Sequence, residues 1–343
     1  MDTRVLAIDV GGGTQDILLW DPEVPIENCI KLVLPSPTRV MAQRIRQLTA
    51  KGESIHLSGV TMGGGPVSRA VRDHIKAGLA VSASKDAART LSDDLEEVVA
   101  MGIRLLDGPE PGARVVELRD VDLTTLSRVV AHYGVSLPER VAVAVQDHGH
   151  CPGMSDRVFR FSQWEAFIEG GGPLDALAYT QPPDYLTRMQ GVVRSVPGAM
   201  VMDTGPAAVA GCLEDPRVAS MAAEGAVLVN VGNMHTVAFI VRGERVFGVY
   251  EDHTRNLDEK LLRTRLDAFI RGELSAQEVL SSGGHGAFYH REHVPMMGAR
   301  NISVTGPNRR MARGISAYEA APHGDMMLTG CFGLIRIYNN RRG

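Results

Sequence analysis

Apolar residues in the first part of the chain occur in short runs separated by glycine and proline, which is the pattern of strands joined by tight turns. Residues 5–8 are wholly apolar, and a glycine-rich turn separates them from a second strand-like run at 16–20, which is apolar after Asp16. A third run at 30–34 ends where two prolines follow. Residues 39–48 then place apolar side chains at helical spacing. The pattern predicts three strands in a meander followed by a helix.

The same order of elements returns in the second half of the chain. Residues 226–231 are apolar except for Asn230, 237–241 form a return strand, and 245–249 follow a glycine turn. The amphipathic segment 257–270 comes next, with its apolar residues on one helical face. Two copies of a βββα plan predict an α/β protein built from two similar domains.

Further strands between the two copies are predicted at 55–60, 115–118 and 141–145, so the first domain continues as alternating helices and strands. A chain of 343 residues exceeds one average domain, and segments rich in glycine and proline precede the second copy. We therefore predict a first domain over residues 1–195, which includes an inserted or linker segment, and a second domain over residues 196–343. A cleft is expected between them.

Composition limits the partners that the chain is expected to have. Hydrophobic residues make up 44% and charged residues 22%, with a net charge of −4 and a pI near 6.3. This balance gives no general attraction to nucleic acid or to anionic membranes. The four cysteines stand far apart, which indicates reduced thiols. No signal-peptide pattern and no apolar stretch of the ~18–20 residues that span a bilayer is found, so a cytoplasmic location is expected.

The turn after the first strand carries the clearest candidate chemistry. Asp9 stands at the strand tip, and a run of glycines and a hydroxyl residue follow it: Gly11, Gly12, Gly13 and Thr14. Backbone amides in such a glycine run can approach an anion closely. A carboxylate repels phosphate, so Asp9 is suited to hold Mg²⁺ beside a phosphate group. The alternative is a tight glycine hairpin with an acidic turn residue.

This segment resembles the first phosphate motif of the superfamily that contains actin, Hsp70-type chaperones, sugar kinases and acetate kinases. Residues 229–236 look like the second phosphate motif of that superfamily, and residues 302–310 resemble its adenosine motif. The resemblance implies two ribonuclease H-like domains of the actin-like ATPase type, which bind ATP and Mg²⁺ between facing turns. It also implies further nucleotide-binding positions: Asn230, Gly232, Asn233, Thr236, Gly306 and Asn308.

The second phosphate motif of this superfamily usually begins with an aspartate, whereas this chain has Asn230. An amide forms hydrogen bonds but cannot act as a charged metal ligand or as a base. The substitution is compatible with nucleotide binding and argues against rapid hydrolysis.

A polar loop follows the predicted strand 141–145, at the kind of strand end where α/β proteins place ligands. Kinases of the superfamily supply a carboxylate from the first domain, so Asp147 is the candidate general base, and Asp9 is the second catalytic candidate. The alternative is a solvent loop whose polar residues cap a neighbouring helix.

Histidines form a second group of candidates, because imidazole is a common ligand of transition metals. His148 and His150 lie in the loop that contains Asp147, and His253 and His285 lie in later loops. No helical two-histidine zinc motif is present. Exposed loop histidines without a ligand are the alternative.

Within the superfamily, the chain resembles a bacterial and archaeal family catalogued under the name pyruvate formate-lyase activating enzyme. The resemblance runs from the Asp9 turn through residues 232–233 and 253–254 to 284–286. The name implies a radical enzyme whose four-iron cluster needs three closely spaced thiolates. The nearest two cysteines, Cys151 and Cys212, are far apart in the sequence, so the chain is not expected to perform that chemistry by itself.

Three functions follow as hypotheses. The first is an ATP-dependent phosphotransferase that acts on a small molecule, with Asp147 activating the acceptor. The second is a nucleotide-gated sensor or partner protein without rapid turnover, and the third is a metal-dependent enzyme that uses the histidine loops. The expected partners are a nucleotide and a small molecule, with no nucleic acid and no membrane, and a homodimer is an option.

Overall fold

The computed structural model describes residues 2–290 and 301–341. Its strands are β1 (Val5–Val10), β2 (Thr14–Trp20), β3 (Ile30–Pro35), β4 (Ile55–Gly59), β5 (Val81–Ala83), β6 (Arg104–Leu105), β7 (Arg114–Leu118), β8 (Val141–Val145), β9 (Ala178–Tyr179), β10 (Met200–Met202), β11 (Ala226–Val231), β12 (His235–Arg242), β13 (Arg245–His253), β14 (Gly286–Tyr289), β15 (Ile302–Thr305) and β16 (Tyr318–Glu319). Its helices are α1 (Pro37–Ala50), α2 (Gly65–Lys76), α3 (Lys85–Ala88), α4 (Leu95–Ala100), α5 (Leu123–Ala131), α6 (Asp156–Glu169), α7 (Thr187–Ser195), α8 (Thr204–Cys212), α9 (Pro216–Glu224), α10 (Glu259–Ile270), α11 (Ala276–Ser281) and α12 (Thr329–Asn340).

Two six-stranded sheets share one order over five of their strands, β3-β2-β1-β8-β10 and β13-β12-β11-β15-β16. The first runs β3-β2-β1-β8-β10-β9, and the second runs β14-β13-β12-β11-β15-β16. In each, an antiparallel hairpin pairs its first strand with a later parallel strand: β1 with β8, and β11 with β15. A three-stranded meander that continues into parallel strands is the ribonuclease H-like arrangement. Its occurrence twice in one chain confirms the predicted two-domain actin-like ATPase fold.

A third sheet lies between β3 and β8 in the sequence. Its four parallel strands run β6-β5-β4-β7, and they have a hydrophobic core of their own that includes buried residues of α1 and α2. The sequence pattern predicted β4 and β7 but treated them as a continuation of the first domain. Apolar periodicity shows that a strand is buried and does not show which strand it pairs with.

The predicted division of the chain at 195/196 stays a prediction. β10, which follows that position, pairs in parallel with β8 and so belongs to the first sheet. None of the helices among residues 2–290 and 301–341 is both long and apolar enough to cross a membrane.

Helices α8 and α12 join the two six-stranded sheets, because their buried residues share one core with β1, β8, β11 and β12. The two helices approach so closely that glycine is required at the crossing. A Cβ on Gly211 would overlap the Thr329 carbonyl oxygen, and a Cβ on Gly333 would overlap the Ala207 carbonyl oxygen. The relative position of the two lobes therefore depends on backbone contact between these helices.

We expect Gly333→Ala to destabilise the protein. Alanine favours a helix by about 1 kcal/mol over glycine, but the overlapping atom is a backbone carbonyl that cannot rotate away. Overpacking costs typically about 1–3 kcal/mol, and an overlap with backbone lies at the upper end, so after the helix gain we expect a net loss of about 2 kcal/mol in the free energy of unfolding, measured by urea denaturation.

The control is Gly314→Ala, because a Cβ there meets no atom within 4 Å. We expect that variant to stay within about 0.5 kcal/mol of the wild type. Equal stability of the wild type and Gly333→Ala would show that the helices are not held at backbone distance.

Candidate functional site

A cavity of about 390 Å³ lies where the two six-stranded sheets face each other. The β1–β2 turn and the β11–β12 turn both line it, as do the N-terminal residues of α8 and α12. Most of the residues proposed from the sequence for nucleotide binding contribute to its wall: Asp9, Gly11, Gly12, Thr14, Asn230, Gly232, Asn233 and Gly306. Residues that were far apart in the sequence therefore surround one space.

The two turns are built in the same way. The Gly11 amide donates to the Thr14 carbonyl at 2.9 Å, and the Gly232 amide donates to the His235 carbonyl, also at 2.9 Å. Because each hairpin closes at the same point, Asp9 and Asn230 occupy equivalent positions just before their turns. The second hairpin thus has an amide where the first has a carboxyl group.

The tips of the two turns touch each other. A side chain at Gly12 would overlap the side chain of Met234, and one at Gly13 would overlap the Asn233 amide group. Glycine at both positions therefore lets the side chains of Met234 and Asn233 lie directly against the first turn. The contact also shows that the turns converge rather than point apart.

Three of the proposed nucleotide-binding residues do not line the cavity and instead form hydrogen bonds that support the two turns: Gly13, Thr236 and Asn308. Gly13 is buried, and its carbonyl accepts the Ser36 amide. Asn308 donates from its side chain to the Gly232 carbonyl at 2.9 Å. The hydroxyl of Thr236 lies 3.1 Å from that of Thr254, which in turn donates to the Gly232 carbonyl.

Asp9 lies against the N-terminus of α12. Its carboxyl group occupies the space that a side chain at Gly330 would fill, and its Oδ1 atom is buried without a hydrogen-bond partner among the described residues. Burial raises the pKa of Asp9 well above its ordinary value, and the carboxylates of Asp16 and Asp203 add to the rise. A cation would relieve both effects.

Asp147 lines the cavity and is 6% exposed. Its Oδ1 accepts the Gly149 amide and its Oδ2 accepts the Met189 amide, each at 2.9 Å. Burial raises the pKa of Asp147 to about 6, although the two amides favour the ionised form. The side chain therefore fixes the loop after β8 and can also exchange a proton near neutral pH.

Two of the histidines proposed as metal ligands face each other. His148 and His285 approach to 3.0 Å between their Nε2 atoms, with their rings stacked at 13°. His253 packs its ring against those of His235 and His285. His150 lies apart from this group, and its Nδ1 is 3.7 Å from Asp156.

The sequence analysis did not propose His235 and Glu251, although both belong to the same group. Glu251 is fully buried, and its Oε1 lies 3.0 Å from the Nδ1 atom of His235. The strand pattern contained a signal for them, because Glu251 and His253 lie two residues apart on β13 and therefore share one face. His235 is the cross-strand partner of His253, which adds it to that face.

Protonation in this group is set by burial and by one arginine. Burial lowers the pKa of His285 to about 3 and that of His253 to about 4. Burial also lowers the pKa of His148, and the charge of Arg160 lowers it further. Burial alone would raise the pKa of Glu251, but Arg160 holds it well below its ordinary value. The imidazoles of His148, His253 and His285 are thus neutral and the Glu251 carboxylate is ionised at neutral pH.

Comparisons with known proteins give one family and two distant structures. The sequence profile of the family described as "Putative pyruvate format-lyase activating enzyme (DUF1786)" matches residues 62–311. No curated protein matches the chain. The "PilM-PilN type IV pilus biogenesis complex" is similar at 10% identity and a TM-score of 0.39, with 99% of each chain covered. The ethanolamine utilization protein EutJ from Carboxydothermus hydrogenoformans is similar at 10% identity and a TM-score of 0.33, with 97% of this chain and 89% of that chain covered. Both scores are low, so the fold assignment depends on the strand order described above.

Asp16 generates a prediction about pH. Burial raises its pKa from 3.8 to about 7, although Thr14 donates to it. Between about pH 4 and pH 7 the folded protein therefore keeps a proton on Asp16 that the unfolded chain has released. The free energy of unfolding falls as the pH rises through that range. We expect Asp16→Asn to stabilise the protein by up to about 4 kcal/mol at pH 8 and by much less at pH 5.

The measurement is urea unfolding at both pH values in the presence of a chelator. Asp175→Asn, at an exposed position, is the matched control and should show no such difference. A gain for Asp16→Asn that is the same at pH 5 and pH 8 would contradict the assignment.

Proposed function

Since this chain belongs to the family described by that profile, and since its two turns converge on one cavity, we propose that it binds ATP with Mg²⁺ in the cleft between its lobes. The proposal is carried by the buried Asp9 Oδ1 atom, which has no hydrogen-bond partner within residues 2–290 and 301–341 and lies beside two equivalent glycine turns. The family description names an activity, and the ATP proposal comes instead from the site.

The residues present fit a phosphate chain and its cation. The backbone amides at Gly11 and Gly12 and the Thr14 hydroxyl would contact the phosphates from the first lobe. Gly232 and Asn233 would do so from the second lobe. Asp9 would hold Mg²⁺, which prefers carboxylate oxygens and neutralises phosphate charge when bound. Gly306 has φ of +96° and lies against Asn230, where it would leave room for the rest of the nucleotide.

The contact between the turns indicates how binding would affect the molecule. The side chains of Asn233 and Met234, from the second turn, fill the space next to Gly12 and Gly13 of the first turn. A phosphate chain that lies between the turns would displace these side chains and separate the lobes. The proposed state change is therefore a hinge motion that ATP controls. Asn230 in place of a carboxylate favours slow turnover in such a device.

Phosphate transfer to a small molecule is the second candidate function. It is favoured by the polar part of the cavity, which Gly63, Gly64, Arg89 and Arg188 line together with Asp147. Arg188 is fixed there by a bidentate ion pair with Asp120 at 2.8 and 2.9 Å. An acceptor bound in this part would meet a carboxyl group whose pKa of about 6 suits general base catalysis.

The activity named in the family description is not part of the proposal. A four-iron cluster needs three thiolates close together. Within residues 2–290 and 301–341, the group of side chains placed to hold a metal contains no cysteine. Cys212 and Cys331 are buried in the core that the two lobes share.

ATP binding is tested by the thermal midpoint with and without Mg²⁺. We expect ATP at about 100 times its dissociation constant to stabilise the wild type by about 2.7 kcal/mol when Mg²⁺ is present. Asp9→Asn keeps the shape of the side chain but removes the charge that holds the cation, so it should lose most of the shift.

Asp175→Asn serves as the control and should respond to ATP as the wild type does. No shift in the wild type with any nucleotide would refute the proposal. Equal shifts in the wild type and Asp9→Asn would show that the nucleotide binds elsewhere.

The phosphotransferase candidate makes a separate prediction. Asp147→Asn should slow ATP consumption by about 100-fold or more, as expected for the loss of a general base, while the Mg²⁺-dependent thermal shift stays within a factor of two of the wild type. Phosphate release is the assay, and it measures transfer to water in the absence of an acceptor. An unchanged rate would leave the ATP-controlled hinge motion without catalysis by Asp147.

A further inference from the structure

We infer that this chain contains a second cation site, which takes a divalent transition metal and is held by His148, His235, Glu251 and His285, called here the histidine cluster. One ligand atom from each of these residues lies within 4.8 Å of all the others. The cluster is distinct from the position of Asp9. Its four side chains form the cluster by themselves, without any contribution from a nucleotide in the cavity.

The cluster is assembled from both lobes. His148 comes from the loop after β8 in the first sheet, whereas His235 begins β12, Glu251 lies on β13, and His285 immediately precedes β14 in the second. The His285 amide donates to the Glu251 carbonyl at 3.0 Å, which fixes the two residues side by side. A single ion bound here would cross-link the lobes.

The distances within the cluster suit one ion. The Nε2 atoms of His148 and His285 are 3.0 Å apart, and Nδ1 of His235 is 3.0 Å from Oε1 of Glu251. Two nitrogens bound to one tetrahedral Zn²⁺ ion at ~2.1 Å each lie ~3.4 Å apart. The two separations of 3.0 Å are close to that value, and a pair at the 4.8 Å limit would have to close by ~1.4 Å to reach it.

Charge in the surroundings also favours a cation. The guanidinium of Arg160 binds Glu251 at 2.6 Å and Asp203 at 3.0 Å, so one buried positive charge faces two buried carboxylates. The Gln146 amide donates to Glu251 at 2.9 Å and holds it in place. A buried excess of negative charge is costly unless it is compensated, and a divalent ion in the cluster would compensate it.

The side chains around the ligands are arranged as supports. His285 is 1% exposed, and its Nδ1 atom has no hydrogen-bond partner among the described residues. The ring of His253 packs against His235 and His285 at 4.7 Å from each, which restricts their rotation. Without an ion, one of the two Nε2 atoms of His148 and His285 must carry a proton and donate it to the other. A metal bound to both nitrogens would satisfy them together.

The ligand set defines the class of ion. Three imidazoles and one carboxylate suit Zn²⁺, Fe²⁺, Co²⁺ or Ni²⁺, whereas Mg²⁺ prefers oxygen ligands. His148 and His235 also line the cavity, so the ion would lie at its wall. The cluster would therefore place a nitrogen-bound ion beside the space in which Asp9 would hold Mg²⁺.

The test uses the full chain, stripped of metal and free of nucleotide. Titration with Zn²⁺ alone and with Co²⁺ alone, followed by calorimetry and by the visible spectrum of Co²⁺, should show one ion per chain. His148→Asn and His285→Asn should each weaken binding by about 100-fold. His150→Asn is the matched control, because it lies in the same loop outside the cluster, and it should bind as the wild type does.

A measurement on the wild type keeps the inference testable even if a variant fails to fold. X-ray absorption of the Zn²⁺-loaded chain should show nitrogen and oxygen ligands with the outer-shell pattern of imidazoles and no sulfur. Absence of stoichiometric binding in the wild type, or a sulfur ligand, would overturn the inference. Loss of binding in His150→Asn with full binding in His148→Asn and His285→Asn would do the same.

Discussion

The crossing of α8 and α12 is the constraint on which the rest of the structure depends. Glycine at 211 and 333 lets the two helix backbones touch, and the helices then fill the space between the sheets. Both helices begin at the cavity, and Gly330 in the first turn of α12 leaves room for the Asp9 carboxyl group. The geometry of the proposed phosphate site is therefore a result of how closely two helices pack some distance behind it.

The cleft contains two chemically different environments for a cation. Around Asp9 the available groups are carboxyl oxygens, hydroxyls and backbone amides, which suit a small hard ion and its phosphate partner. Around His285 they are imidazoles and one carboxylate, which suit a softer ion. Arg160 belongs to both environments because it binds Glu251 of the histidine cluster and Asp203, which lines the cavity. A cation bound in either environment therefore changes the electrostatic potential in the other.

Sequence reasoning predicted much of the fold, because the apolar pattern indicates directly which strands and which helix faces are buried. The meander of β1 to β3, its repeat in β11 to β13, and helix α10 were all predicted from that pattern. The third sheet was not, because strand pairing is decided by packing between distant segments. The same limit applies to the site. Asp9 follows from a local motif, whereas the histidine cluster exists only when the loop after β8 in the first sheet meets β12 and β13 of the second sheet.

The position of α12 has a consequence for how the molecule is made. The Sγ atom of Cys331 donates to the Asp16 carbonyl at 3.2 Å, so a helix encoded near the end of the chain packs on the first hairpin. During synthesis on the ribosome, the part of the first hairpin that α12 covers stays exposed until residues 329–340 emerge. The third sheet carries its own core and has no such dependence. Its folding can therefore precede that of the lobe in which it is inserted.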